Sequence, residues 1–454
     1  MYNPHDTIAA TATPPGKGAL AIVRMSGRES WEIAGEIFFR KERKFKNFKS
    51  HRLYYGNIKD NSKKIDTVLI STMKSPKSYT GEDTVEITCH GGNYVTSRIL
   101  ESLLKNGARP ANPGEFTMRA FINGKMDLAR AEAVNSIIDA NSERSLEEAL
   151  KMHDGRISDK IKIYAEEASQ IKTEVDASIE WGETEEIDPA GISEIQKRLK
   201  KLTEKIKKEA DEAPSDERLG QGFRVVICGK PNAGKSSVFN SLLKSSKNII
   251  SSHPGTTRDV VEGELILNGF LVKLIDTAGI GVEVPDEIYK MASEKSKREI
   301  KNADVVLYII DAEKGIQEED YKIKKLCNED RFIPVVNKSD IRKRVKGGSE
   351  FYSGIEEVNT SCMTKEGFEK LKKRIGEKLS EYDTDRAMIT ARQRNSLFRA
   401  EKELREAEKN IKDGEFVVAS YEITSALSAL GNIDGSTVNE RTLDRIFERF
   451  CIGK

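Results

Sequence analysis

No apolar run in these 454 residues approaches the roughly 18 needed to span a bilayer. The opening stretch, MYNPHDTIAATATPPGKG, lacks the basic-then-apolar pattern of a secretory signal. Cysteine is scarce: Cys89, Cys228, Cys327, Cys362 and Cys451 are odd in number, scattered and without a CxxC pair, which argues against a disulfide framework and a structural zinc site and fits a reducing compartment. The five histidines are as dispersed, and His90 stands directly beside Cys89 rather than at ligand spacing. An excess of one charge is missing too, since 75 Lys plus Arg face 74 Asp plus Glu for a net +1, so any contact with nucleic acid must be local. Internal repeats and low-complexity tracts are absent. What remains is the profile expected of a soluble cytoplasmic protein, long enough for about two to four domains.

Residues 1–120 mix short β-rich runs (TIAATA, ALAIVRMSG, DTVLISTM, DTVEITCHGG) with the helical TSRILESLLKNG, as a small α+β domain would. From Asp127 helical spacing takes over. Leu128, Ala131, Val134 and Ile138 recur every three or four residues, and Ile157, Ile161, Tyr164, Ala168, Ile171, Val175 and Ile179 extend a stripe over about six turns. Ile192, Ile195, Leu199, Leu202 and Ile206 mark another amphipathic helix before the linker APSDERLGQG, so residues 121–218 are expected to be the first part of a helical domain. At Phe223 compact apolar strands (RVVICG, LVKLIDTAG, DVVLYIID, FIPVVNKSD) begin to alternate with charged helices, predicting a largely parallel sheet over 219–379. Helical composition returns in 380–454, and the simplest architecture inserts the α/β domain between two halves of the helical one.

GKPNAGKSS, residues 229–237, stands between the strand RVVIC and the helical VFNSLLK, the context that a GxxxxGKS phosphate loop requires. Asn232, Ala233, Gly234, Lys235, Ser236 and Ser237 are its candidate nucleotide contacts: backbone N–H groups close around phosphates, Lys235 reaches the β and γ phosphates, and the Ser236 hydroxyl ligates magnesium. Ser251, Ser252, His253, Pro254, Gly255, Thr256 and Thr257 follow as a candidate first switch, with Thr257 as a second magnesium hydroxyl. DTAG supplies Asp276 at a strand end, then Thr277, Ala278 and Gly279, whose N–H can sense the γ phosphate. In NKSD, Asp340 can accept from both the ring N–H and the exocyclic amine of guanine, a donor pair that adenine lacks; Asn337 supplies amide bonds, Lys338 a flanking aliphatic stem, and Ser339 completes the turn. Ser361 and Cys362 of TSC are candidates for the loop that supports the base. Four motifs in this order predict a GTPase.

With these motifs placed, the whole chain resembles the MnmE (TrmE) family of tRNA-modification GTPases, on ATPPGKGALAIVRMSG, KSYTGEDTVEITCHGG, PGEFTMRAFINGKMDLARAEAV and CIGK as well. The resemblance implies a multidomain α/β and α fold: an α+β folate-binding-like N-terminal domain that dimerises, a discontinuous helical domain, and an inserted Ras-like P-loop GTPase domain. It implies 5-formyltetrahydrofolate or a related folate held by Arg24, Glu86, Lys125 and Lys454, a role for Cys451, and a potassium ion held by Asn232 with Ser251, His253 and Thr256. It further implies a homodimer that joins an MnmG-type FAD protein, as a heterotetramer, to install a (carboxymethyl)aminomethyl group at C5 of the wobble uridine in tRNA. Read alone, Arg24 and Lys125 fit solvated surface charges, Glu86 an ordinary strand carboxylate and Cys451 an inert thiol.

The family also implies a water-orienting glutamate downstream of DTAG. Here Ile280 follows DTAG directly, the segment is one residue longer, and alignment through MASEKS puts Tyr289 at the glutamate's place. Glu287 is the nearest catalytic replacement, Glu283 serves if the loop folds back, and Tyr289 can position water through its hydroxyl. The basic run KERKFKNFK at 41–49 and the lysines from Lys197 to Lys208 are candidates for tRNA phosphates or for plain solvated faces. The expected function is therefore a potassium-activated dimeric GTPase of tRNA modification, using GTP, magnesium, potassium and folate. The alternatives are a regulatory GTPase of ribosome or RNA assembly and a folate-dependent one-carbon transferase with an appended switch.

Overall fold

Alternation of buried and exposed positions shapes the first sheet. Its strands are β1 (Ile8–Thr11), β2 (Leu20–Ser26), β3 (Phe38–Arg40), β4 (Arg43–Lys44), β5 (Arg52–Asp60), β6 (Lys63–Met73), β7 (Thr84–His90) and β8 (Arg109–Pro110), paired in the order β4-β3-β5-β6-β7-β2-β1-β8. Along β5, Tyr54, Gly56 and Ile58 are buried while Leu53 and Tyr55 face solvent, the period of two that a sheet with one covered face demands. This computed structural model describes residues 6–182, 189–213, 222–244, 261–276, 298–325, 327, 329–341, 351–352, 354–380 and 388–454. The chain forms two compact units, one of Met1–Asn135, Ser158–Ile195 and Lys409–Lys454, the other of Ser136–Ile157 and Gln196–Glu408.

The described helices are α1 (Ser30–Ile37), α2 (Asn93–Lys105), α3 (Glu115–Ile122), α4 (Leu128–Ile138), α5 (Glu143–His153), α6 (Arg156–Gly182), α7 (Pro189–Glu212), α8 (Lys235–Lys244), α9 (Glu318–Lys324), α10 (Phe368–Ser380), α11 (Ala391–Lys412), α12 (Phe416–Asp434) and α13 (Glu440–Phe447). In the first unit, α1 and α2 cover the inner face of the sheet around Val23, Met25, Phe38, Ile70, Ile87 and Ile99. Met118 of α3, Leu128 and Ala131 of α4, and Phe447 of α13 with the following Phe450 form a second core. Asn439 starts α13 by accepting from the Thr442 N–H, a cap worth about 1 kcal/mol. Residues 451–454 then lie along the sheet: the N–H of Phe116 donates to the Lys454 carbonyl at 3.0 Å, and a Cβ on Gly453 (φ +91°) would stand 2.6 Å from the Thr11 carbonyl oxygen.

The second unit carries β9 (Phe223–Gly229), β10 (Val261–Leu267), β11 (Phe270–Asp276), β12 (Val305–Asp311), β13 (Phe332–Asn337) and β14 (Val358–Thr360), in the order β10-β11-β9-β12-β13-β14. Only β10 runs antiparallel, at one edge. β12 and β13 are buried at every position, as strands covered on both faces must be. β9 lies between β11 and β12, so the chain leaves it at a switch point where strand order reverses and a crevice opens beyond the carboxyl ends. The buried residues Leu199, Leu202 and Ile206 on α7 and Leu397, Ala400, Leu404 and Ala407 on α11 keep the expected three-and-four spacing. Arg394 of α11 donates to the carbonyls of Ala210 and Ala213, satisfying acceptors that the end of α7 leaves open. Among the described residues no helix is long and apolar enough to cross a membrane.

Candidate functional site

Parallel register brings the chemistry of the second unit to one edge. Gly229 of β9 pairs with Ile309, Asp276 of β11 with Ile227, Asp311 of β12 with Asn337, and Asn337 of β13 with Thr360, so the carboxyl ends of all five strands converge. Between β9 and α8 the loop needs left-handed backbone at Asn232 (φ 65°) and Gly234 (φ 92°). At Gly234 a side chain is also excluded, because a Cβ would lie 2.2 Å from Asn337 Nδ2. Lys235 opens α8 with its side chain buried and its Nζ donating to the Lys230 carbonyl at 2.9 Å. Burial pushes its ammonium below the ordinary lysine range, while the nearby Asp276 carboxylate, itself buried, opposes the shift. Ser236 and Ser237 are exposed on the first turn of α8, where N–H groups and the helix dipole favour an anion.

Asn337 is buried and donates from Nδ2 to the Ala233 carbonyl at 3.0 Å, a direct link from the NKSD turn to the phosphate loop. Cys362 donates from Sγ to Asn337 Oδ1 at 3.4 Å, which fixes the face of that amide. Ser339 N–H bonds the Thr360 carbonyl at 3.1 Å, and Ser361 Oγ accepts from the Thr364 N–H at 3.2 Å, so the NKSD and TSC loops brace each other beside an exposed Asp340. Lys338, with left-handed backbone (φ 64°), extends its ammonium to Asp311 Oδ2 at 2.6 Å. Burial raises the affinity of the Asp311 carboxyl for its proton, but Lys338 and the Glu313 N–H outweigh it and hold the group below the ordinary aspartate range. Ser251, Ser252, His253, Pro254, Gly255, Thr256, Thr257, Thr277, Ala278, Gly279, Glu283, Glu287 and Tyr289 lie outside the described residues.

In the first unit, Arg24 and Glu86 face each other in the β2–β7 register. The guanidinium makes two bonds of 2.8 Å to Glu86 and a third, from Nη1, to the Gly453 carbonyl at 3.2 Å, and it lies against the rings of Tyr79 and Phe116. Arg24 and Glu86 are thus joined to the 451–454 segment, where Cys451 is exposed. Lys125 Nζ donates to the Pro76 carbonyl at 3.0 Å, on the 74–83 loop that also presents Tyr79. Sequence reasoning missed the network behind this surface: Arg119, fully buried, bonds Glu82 and Glu115, and Glu115 also takes two bonds from Arg109. The i,i+4 spacing of Glu115 and Arg119 was the available signal. In the basic run, Lys44 and Lys46 both pair with Glu36, which leaves it less positive than its composition. No group of three or more His, Cys, Asp or Glu able to hold a metal occurs among the described residues.

A glycine-bearing phosphate loop at the switch point of a parallel sheet, latched to an Asn-Lys-Ser-Asp turn, defines the class: a Ras-like P-loop nucleotide-binding fold, here in a chain that also carries an α+β unit. The family model for the GTP-binding protein TrmE N-terminus matches residues 7–125, and that for the MnmE helical domain matches 128–451. The tRNA modification GTPases MnmE of Thermotoga petrophila and Thermotoga maritima are 39% and 38% identical to this chain over 460 residues, covering 99% of it and 100% of each relative. The chain belongs to the MnmE family. Among solved structures, the G domain of the T. maritima FeoB iron transporter is 26% identical, covering 36% of this chain and 99% of that one at a TM-score of 0.27, a likeness too partial to add to the fold.

Proposed function

We propose that this chain, a GTPase acting in tRNA modification, reads guanine through Asn337, Lys338 and Asp340 and uses the γ phosphate to switch between two conformations. The observation that carries the reading is the Asn337–Ala233 bond, which makes base recognition and the phosphate loop one unit. Binding energy gained at the base is therefore spent on positioning phosphates, the main task in phosphoryl transfer. Lys235 meets the β and γ phosphates, whose charge compensates an ammonium that burial disfavours. The Ser236 hydroxyl and the Asp276 carboxylate are hard oxygen donors suited to magnesium, with Thr257 as a third, and the ion would supply counter-charge to the phosphates.

Asn232 with Ser251, His253 and Thr256 would hold a potassium ion, which would supply positive charge near the transferring phosphate, and Glu287 would orient the attacking water in place of the glutamate that Tyr289 replaces. Asn232 is exposed on the phosphate loop in left-handed backbone, which supports a contact beyond the loop itself. Arg24, Glu86, Lys125 and Lys454 would hold formyltetrahydrofolate; the Arg24–Glu86–Gly453 cluster supports a site finished by the 451–454 segment. The protein works as a homodimer with an MnmG-type FAD partner on the wobble uridine. Calorimetry with GDP on wild type and Lys235→Ala tests the nucleotide site, and mass spectrometry of tRNA nucleosides from cells lacking the protein tests the modification. Unchanged GDP affinity in the variant refutes the first, and unchanged wobble uridines the second.

A further inference from the structure

Asp311 belongs to none of the four nucleotide motifs, yet it ends β12 one hydrogen-bonded rung from the NKSD turn. Its backbone and side chain build a tight turn: Oδ1 accepts from the Glu313 N–H at 2.9 Å, the carbonyl accepts from the Gly315 N–H at 3.0 Å, and the next N–H, of Ala312, donates to the Asn337 carbonyl at 3.0 Å. That leaves Oδ2 of a buried carboxylate, and it goes to Lys338 Nζ at 2.6 Å. Two features make this more than a surface ion pair. One partner is only 5% exposed at the side chain, so the charge is poorly screened. The other has left-handed backbone, which a non-glycine residue adopts only at a cost when something holds it there.

We propose that Asp311 is a positioning residue for guanine: it anchors the Lys338 ammonium so that the aliphatic stem stands as one wall of the base pocket before nucleotide arrives. The inference rests on the reading of residues 337–340 as the guanine site. A free lysine carries several rotatable bonds, and ordering it on binding weakens affinity. With the ammonium fixed to Oδ2, that ordering is complete in the nucleotide-free protein. Asp311 touches no base atom in this scheme and acts only through Lys338.

The test is the dissociation rate of fluorescently labelled GDP and inosine diphosphate from the full-length protein carrying Asp311→Asn, Lys338→Met, both changes, or Asp340→Asn. Asp311→Asn keeps an oxygen for the Glu313 N–H and removes the charge that holds Lys338. Loss of a charge-assisted bond predicts release about tenfold faster. Both nucleotides speed up equally, because the stem contacts the ring face and not the 2-amino group. In the Lys338→Met background the Asp311 change adds less than about twofold, since its effect passes through the missing ammonium. Independent, multiplying effects, or GDP release from Asp311→Asn within about twofold of wild type, overturn the proposal. If Asp340→Asn leaves the preference for GDP over inosine diphosphate unaltered, the guanine-site reading fails first and the proposal with it.

Discussion

Replacing Gly234 by alanine strikes the latch between the phosphate loop and the base turn. The backbone there has φ +92°, which costs an L-residue about 1–2 kcal/mol. The new Cβ would stand 2.2 Å from Asn337 Nδ2, well inside any real contact distance. Side-chain ends often move aside cheaply. This one is buried, donates to the Ala233 carbonyl and is held from behind by the Cys362 thiol, so yielding means breaking a buried hydrogen bond at about 1–3 kcal/mol. The sum is about 2–5 kcal/mol; if all of it falls on the nucleotide-competent loop, GDP binds roughly 30- to 5000-fold more weakly. Titration calorimetry with GDP measures this, and urea unfolding without nucleotide reports how much falls on stability instead. Affinity and unfolding midpoint both within error of wild type would refute the reasoning, because neither the strain nor the clash would then exist.

Two further outcomes follow from groups held off their ordinary ionisation, and a third from a close backbone approach. Burial depresses the Lys235 ammonium in the folded state, so the unfolded chain binds that proton more tightly and stability rises with pH up to the ordinary lysine value. Lys235→Met should therefore bind no GTP yet match or exceed wild type in nucleotide-free urea stability at pH 7, and should lack that part of the rise with pH. Burial raises the Glu115 value, but Arg109, the Asn112 N–H and Arg119 outweigh it and leave the carboxyl below the ordinary glutamate range. Its contribution is thus present above the unfolded value and lost as pH falls through the folded one; Glu115→Gln should cost about 3–5 kcal/mol at pH 7 in urea unfolding and flatten the acid limb. Gly453→Ala places a methyl 2.6 Å from the Thr11 carbonyl oxygen and should lift the 451–454 segment off Arg24. Calorimetry should then show formyltetrahydrofolate bound at least about tenfold more weakly with GTP affinity unchanged; equal folate affinity would remove that segment from the pocket.

What the sequence made legible was whatever is written in one stretch. The phosphate loop, its strand and its helix are contiguous, and the long stripes of α6 and α7 announce themselves by spacing. Of the first sheet, the runs that became β1, β2, β6 and β7 were apparent, whereas β3, β4, β5 and β8 were not. β3 is only three residues long and β4 lies within the basic run, Gly56 interrupts the apolar signal of β5, and Pro110 sits in the two-residue edge strand β8. The Arg24–Glu86 pair depends on the register of strands 62 positions apart, and Asp311 acquires its meaning only when β12 lies beside β13. Side chains that looked like solvated charge became partners through pairing that no local pattern encodes.

The bond from Arg24 to Gly453 joins positions 429 apart. During synthesis at about 5–20 residues per second, Arg24 leaves the ribosome tens of seconds before its acceptor is made. In that interval β2 and β7 can pair, but the surface around Arg24 lacks its third partner and the cover of residues 451–454. A nascent chain stalled or clipped between the end of the second unit's sheet and residue 451 would carry an intact phosphate loop with an unfinished first unit. Such a fragment could load nucleotide and still present the wrong surface where Arg24 lies, so the late contact ties the first unit's completion to residues made more than 400 positions after Arg24.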